Sequence, residues 1–181
     1  MLKLIFRNLS STEFLNHFGY FPFYSFFVYI HKVKLIKMKV YSSQYCDVEI
    51  IEDVEALCER WFIASCPIDE FKLICNTILK KCVDFKLKNL IIDANDAISY
   101  LPEENQEWLD REFNNRIVYE TDIEKIIMVS PESLVTRIST DKFYEYISKP
   151  THGIFTVKLK SCKEAVEWLK AGKIKPGENR K

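Results

Sequence analysis

The sequence lacks the short motifs by which catalytic, cofactor and metal sites are usually recognised. It contains no CxxC pair, no G-x-S-x-G turn and no histidine-rich spacing, and His152 is the single histidine after residue 37. A nucleophile–His–acid arrangement would therefore have one possible base, and that base lies in the turn-like stretch PTHG at 150–153. We expect a non-enzymatic protein with no catalytic residue, no metal site and no cofactor.

The chain also has no net charge, because 26 basic residues balance 26 acidic ones. The charges are unevenly distributed: residues 1–37 hold five basic side chains and one acidic one, and residues 38–181 hold 21 basic and 25 acidic ones. Nucleic-acid binding needs a basic stripe or patch, which this mildly acidic body lacks. We therefore expect no nucleic-acid partner.

No secretory signal is evident, since the N-terminal region has neither a Leu/Ala-rich core nor a small-residue cleavage site. The chain is therefore expected to be cytoplasmic, where thiols stay reduced. In that setting the cysteines are expected to be buried and to act as small hydrophobic side chains. They are Cys46, Cys58, Cys66, Cys75, Cys82 and Cys162.

The aromatic segment 14–30, FLNHFGYFPFYSFFVYI, leaves several interpretations open. It is apolar and flanked by lysines, as a membrane anchor would be, but it is at the short limit for a spanning helix and contains Asn16, His17 and Pro22. Alternatively, residues 1–37 are not part of the working protein, and Met38 is the natural start. We favour this second interpretation, and an interfacial or membrane anchor is the alternative.

Two apolar runs that each lead towards a Pro-Glu helix start predict the fold class. LIID at 90–93 precedes PEE at 102–104, and IIMVS at 126–130 runs directly into PE. A fully apolar strand followed by a helix is typical of a parallel sheet covered on both faces. Ligands usually bind such sheets at the carboxyl ends of the strands. We predict one α/β domain over 38–172 and a flexible polar tail over 173–181.

Periodicity and capping signals locate most of the elements. Strands are predicted at 45–50, 88–93, 125–130 and 153–157, and helices at 67–82, 102–119, 131–147 and 161–172. Residues 54–62 are ambiguous because they are short and follow the acidic corner Glu52-Asp53, which suits a hairpin. Periodicity alone favours a helix there, since the apolar residues have helical spacing: Val54, Leu57, Cys58, Trp61 and Phe62.

Five segments in order carry a resemblance to a known family: ERW at 59–61, DEFK at 69–72, LIID at 90–93, PEENQEW at 102–108 and EAVEWL at 164–169. Over residues 40–171 the chain resembles the small SpoIIAA-like, or STAS-related, α/β proteins. The resemblance implies that residues 56–64 form a strand antiparallel to the first one. It also implies a five-strand mixed sheet, with an N-terminal antiparallel hairpin and then parallel strands, flanked by about four helices.

The resemblance further implies a regulatory module that binds a protein partner or a small ligand, since STAS domains serve as switches and scaffolds. The alternative is a membrane-associated or lipid-binding protein of the same fold, anchored through residues 14–30. Either protein could also form a homodimer.

The founding family members carry a phosphorylated serine at the start of a helix, and this sequence has no serine at the matching position. Ser99 lies three residues before Pro102, and Leu101 takes the position of the helix cap.

Polar residues at the predicted strand ends are the candidate ligand-binding or partner-binding residues. An Asp, a Ser and a Lys after successive strands loosely resemble a phosphoacceptor pocket. Such a pocket also needs an acidic pair for Mg²⁺, and the opening hairpin places Asp47 and Glu49 elsewhere. The simpler interpretation is turn formation by Asp and Asn. The candidates are Asp93, Asn95, Ser99, Ser130 and Lys158.

Overall fold

The computed structural model describes residues 37–129 and 134–172, with the backbone alone for 134–140. These residues form an α/β structure with six strands in one mixed sheet. The strands are β1 (Lys37–Ser42), β2 (Cys46–Ile51), β3 (Ala56–Trp61), β4 (Asn89–Asp93), β5 (Lys125–Val129) and β6 (Phe155–Leu159). The four helices are α1 (Ile68–Asp84), α2 (103–120), α3 (Leu134–Ile147) and α4 (Cys162–Lys170).

The strands lie side by side in chain order. β1 pairs with β2, and β2 with β3, in antiparallel fashion, and the pairs from β3 to β6 are parallel. The α/β class, the mixed sheet and its opening hairpin (β2–β3) are therefore as predicted. The number of strands is not: β1 is an additional edge strand. Its sequence KMKVYS has no fully buried position, so it carries no strong apolar alternation by which it could be recognised.

Residues 56–61 form β3, which agrees with the strand that the resemblance implies; the helix favoured by periodicity is wrong. Leu57 and Trp61 face one side of the sheet, and Ala56 and Cys58 face the other. Because both faces of β3 are covered, its apolar residues do not alternate with polar ones. Their positions instead have the spacing expected of a helix. The link from β2 is a 3₁₀ turn, Glu52–Val54, followed by Glu55 at a positive φ of 46°.

Two hydrophobic cores lie on opposite faces of the sheet. The larger one is formed with α1, α2 and α3 and includes Leu90 and Ile117. The smaller one is formed with α4 and includes Ile91 and Ile127. Ser161 caps α4 as predicted, since its hydroxyl accepts the backbone N–H of Glu164 at 3.1 Å. The Glu164 carboxylate accepts the backbone N–H of Lys160 at 2.9 Å, one residue before the cap, and not that of Ser161 as in the standard capping box.

Helix α2 is interrupted at its centre. It is α-helical over Glu103–Trp108 and Asn114–Glu120, with a π-helical turn at Leu109–Phe113 between them. π-Helical turns are rare and are frequently found at functional sites. Both apolar residues of the turn, Leu109 and Phe113, are buried against the sheet.

None of the helices in 37–129 and 134–172 is long and apolar enough to cross a membrane. The aromatic segment 14–30, residues 130–133 and the tail 173–181 lie outside the described residues. The predictions made for them, including the anchor and the start at Met38, therefore stay predictions.

Candidate functional site: a buried carboxyl in an apolar cavity

The most unusual side chain of the sheet is that of Glu59, in the middle of β3. Strand alternation puts it on the same face as Leu57 and Trp61, towards helices α1–α3. Its relative exposure is 6%. Acidic residues are rarely buried to this extent unless they are paired with a cation. A carboxyl in this position therefore calls for a functional explanation.

Glu59 contributes to the wall of a cavity of about 90 Å³ between the sheet and the three helices. The cavity lies at the carboxyl ends of the parallel strands, since Trp61 ends β3 while Ile92 and Met128 are the penultimate residues of β4 and β5. The segment after β3, the helices and the loop after β4 complete the wall with Ala64, Phe71, Cys75, Ala94, Ala97, Leu101, Leu109, Phe113 and Phe143.

The chemistry of this wall is almost entirely apolar. Among the described residues that line the cavity, Glu59 is the single acidic or basic one. Trp61, Phe71, Phe113 and Phe143 contribute aromatic rings to the wall, and the ring centroids of Trp61 and Phe71 are 5.6 Å apart. The cavity suits a small apolar molecule, with one polar contact available.

Burial changes the protonation of Glu59. Removal from water raises the pKa of its carboxyl from 4.5 to about 8, and a hydrogen bond with Trp61 opposes the rise. Because the indole N–H of Trp61 can only donate, it occupies an acceptor position of the carboxyl. At neutral pH Glu59 is therefore mainly an uncharged acid, whose O–H group can donate a hydrogen bond.

The predicted site residue Asp93 lies on the opposite face of the sheet. It is buried, forms an ion pair with Arg60 (Nε–Oδ2 3.3 Å), and accepts the backbone N–H of Asn95 at 3.2 Å. The last contact is the Asx-type turn that the simpler interpretation predicts. Asp93 and the backbone of Asn95 thus shape the start of the loop after β4, and the Asp93 side chain faces away from Glu59.

The other candidate residues do not form a common site with Asp93 and Asn95. The Ser99 hydroxyl accepts the backbone N–H of Ser65 at 2.9 Å, which connects the loop after β4 to the segment after β3. Lys158 contacts Asp141 of α3 at 2.6 Å, and its ammonium lies 4.4 Å from the ring centroid of Tyr144. Ser130 lies outside the described residues. The four candidates within the described residues therefore do not converge on one pocket.

The residues that form the cavity were not among the predicted ones. The sequence indicates Glu59 and Trp61 only through the ERW segment of the family resemblance, and Trp61 also through its helical spacing. The sequence does contain a signal for this face of the sheet: Leu57, Glu59 and Trp61 are every second residue of β3, and all three lie on the buried face. It was masked by the helical spacing of the same segment.

Metal binding and a histidine site are not indicated by the geometry. In residues 37–129 and 134–172, no three His, Cys, Asp or Glu side chains lie close enough together to hold a metal ion. His152 ends the 3₁₀ turn Pro150–His152, as its turn-like sequence context indicates, and is half-buried against Tyr146, with ring centroids 4.9 Å apart.

Comparison of the chain with protein-family models, with curated proteins and with solved structures found no match. The functional argument therefore depends on the cavity and on the residues around it.

Proposed function

We propose that the protein is a regulatory binding module that holds a small, uncharged, mainly apolar molecule in the Glu59 cavity. The observation that carries the proposal is the buried carboxyl in an otherwise apolar wall. In this proposal the fold is STAS-like, the compartment is the cytoplasm, and the protein binds its ligand without transforming it.

The protonation of Glu59 selects the class of ligand. A cation such as an alkylammonium would have to lose its hydration shell and displace the proton of Glu59, and buried ion pairs seldom recover these costs. An oxygen acceptor on a neutral ligand needs neither step and gains a hydrogen bond worth about 1 kcal/mol. We therefore propose a ligand with a carbonyl oxygen that accepts from the Glu59 O–H.

The loop after β4 supplies a route from the cavity to the surface. Ala94, Ala97 and Leu101 line the cavity, whereas Ile98 and Tyr100 of the same loop are 79% and 61% exposed. A ligand that shifts the loop would change the surface that these two side chains present. In this proposal a protein partner senses the ligand there.

The same loop favours one alternative function. Exposed apolar side chains beside an apolar cavity also suit a protein that collects its ligand from a lipid surface. The cavity itself would then hold a polar-ended segment of the lipid. Pelleting of the full chain with phosphatidylcholine vesicles, compared with an Ile98→Ser/Tyr100→Ser variant, separates this alternative from a ligand taken from solution.

The ligand class is tested by NMR titration of the full chain with 2-butanone, a neutral acceptor, and with n-butylamine, which is cationic at neutral pH. We expect 2-butanone to shift the signals of Ala97 and Met128 at pH 6.5 and to bind several-fold more weakly above pH 8, where Glu59 loses its proton. n-Butylamine should leave these signals unchanged.

Two variants serve as controls. Glu59→Gln keeps an N–H donor, so 2-butanone should still bind, without the loss of affinity at high pH. Ala97→Leu fills the cavity and should abolish binding, whereas the same substitution at the exposed Ala171 should not. Preferential binding of n-butylamine would overturn the ligand class, and no response to either probe would contradict the proposed function.

A further inference from the structure

Two cysteines that are distant in sequence meet on the face of the sheet opposite the cavity. Cys58 belongs to β3, and Cys162 is the first residue of α4. Their sulfur atoms are 3.4 Å apart, although 104 residues separate them in the chain. Both thiols are free. A disulfide requires an S–S distance of about 2.0 Å, so the two sulfur atoms are already close to bonding range.

The surroundings of the pair distinguish the two thiols. Cys162 lies directly after the cap residue Ser161, where the helix N-terminus favours a thiolate. A hydrogen bond from Cys58 lowers the pKa of Cys162, and the charges of Lys37 and Arg60 act in the same direction, while burial and the charge of Asp93 oppose the change. The hydrogen bond with Cys162 and burial both raise the pKa of Cys58.

Cys162 is also the more exposed of the two thiols. Cys162 is 8% exposed and Cys58 is 3% exposed. Cys162 is therefore suited to be the first thiol to react, and Cys58 is suited to resolve the product.

We propose that Cys58 and Cys162 form a reversible disulfide when the protein meets hydrogen peroxide. The Cys162 thiolate attacks one peroxide oxygen, the O–O bond breaks, and the leaving hydroxide takes up a proton to become water. Cys58 then attacks the sulfur of the sulfenic acid, the S–S bond forms, and a second water leaves with the Cys58 proton. The two thiols are oxidised and the peroxide is reduced. A thiol such as glutathione reverses the reaction by thiol–disulfide exchange.

The disulfide would connect α4 to β3, the strand that also carries Glu59. It would enclose β4, β5, β6 and helices α1–α3 in one covalent loop. Such a long loop restricts the unfolded chain strongly, so oxidation should raise the midpoint of thermal unfolding.

Peptide mapping of the reduced full chain after treatment with hydrogen peroxide tests the proposal. The remaining thiols are alkylated in denaturant before digestion. We expect one cross-linked peptide pair, Cys58 with Cys162, lighter by two hydrogen atoms than the two reduced peptides together. Cys46, Cys66, Cys75 and Cys82 should be alkylated, and dithiothreitol should restore alkylation of the pair.

Two single variants test the assigned roles. Cys58→Ser should stop oxidation at a Cys162 sulfenic acid, which dimedone traps, whereas Cys162→Ser should lower the rate of peroxide consumption at least tenfold. Cys82→Ser, which removes another buried thiol that does not line the cavity, should leave the disulfide intact. Equal alkylation of all six cysteines in oxidised wild-type protein would overturn the proposal without depending on any variant, and so would a cross-link between other cysteines.

Discussion

Replacement of Glu59 by glutamine should remove a large pH dependence from the stability of the protein. The folded protein keeps the Glu59 proton up to about pH 8, whereas the unfolded chain releases it near pH 4.5. Between these values the folded state binds more protons than the unfolded state, so stability falls as the pH rises. The stabilising contribution of Glu59 protonation to the free energy of unfolding is therefore fully present below pH 4.5, and it is lost as the pH rises through 8.

The size of the effect follows from the pKa difference. A shift from 4.5 to about 8 corresponds to an upper limit of roughly 5 kcal/mol in the free energy of unfolding, at about 1.4 kcal/mol per pKa unit. We therefore expect Glu59→Gln to be several kcal/mol more stable relative to wild type at pH 9 than at pH 4.

Urea denaturation of both proteins at a series of pH values measures this difference. The same substitution at the exposed Glu104 of α2 is a matched control, and it should change the free energy of unfolding by no more than about 0.5 kcal/mol at any pH. A constant difference between Glu59→Gln and wild type from pH 4 to pH 9 would refute the raised pKa of Glu59.

Truncation of Phe113 to alanine should be strongly destabilising and should also enlarge the cavity. Phe113 is 4% exposed, belongs to the π-helical turn and lines the cavity. Removal of a buried phenylalanine ring costs about 3–5 kcal/mol, because apolar contacts are lost and the space left is not refilled. In Phe113→Ala this space would join the existing cavity, so a dry apolar ligand of about ring size should bind there.

Chemical denaturation with and without benzene measures both parts of this prediction. Phe85 is 45% exposed beyond the end of α1, so Phe85→Ala is a control of identical chemistry, with a loss of about 1 kcal/mol or less expected. Benzene should stabilise Phe113→Ala more than wild type. Equal losses for the two variants would show that Phe113 does not support the cavity wall.

The coarse fold could be predicted because its signals are local. LIID at 90–93 and the PE helix starts predict buried strands followed by helices, and capping residues such as Ser161 locate the helix ends. β1 was not predicted, because it forms a strand by pairing with β2 and its own sequence has no clear strand pattern. β3 was recognised only through the family resemblance, since burial on both faces removed the alternation typical of strands.

The place of the cavity could be predicted, but the side chains that line it could not. Parallel strands predict a crevice at their carboxyl ends, and the cavity lies there. Which side chains enter it depends on the face that each residue takes. Asp93 is next to Ile92 in β4, yet the two point to opposite faces, so Ile92 lines the cavity while Asp93 pairs with Arg60. One-residue differences of this kind follow from the three-dimensional register, which composition and motif spacing do not contain.

Native mass spectrometry of the full chain, purified gently from cells, tests most directly whether the Glu59 cavity holds a ligand. The experiment compares wild type with Ala97→Leu, which fills the cavity, and with Ala171→Leu, which substitutes an exposed residue. We expect wild type and Ala171→Leu to carry the same additional small mass, released on denaturation, and Ala97→Leu to be bare. The same additional mass on wild type and on Ala97→Leu, or no additional mass on either, would contradict the account.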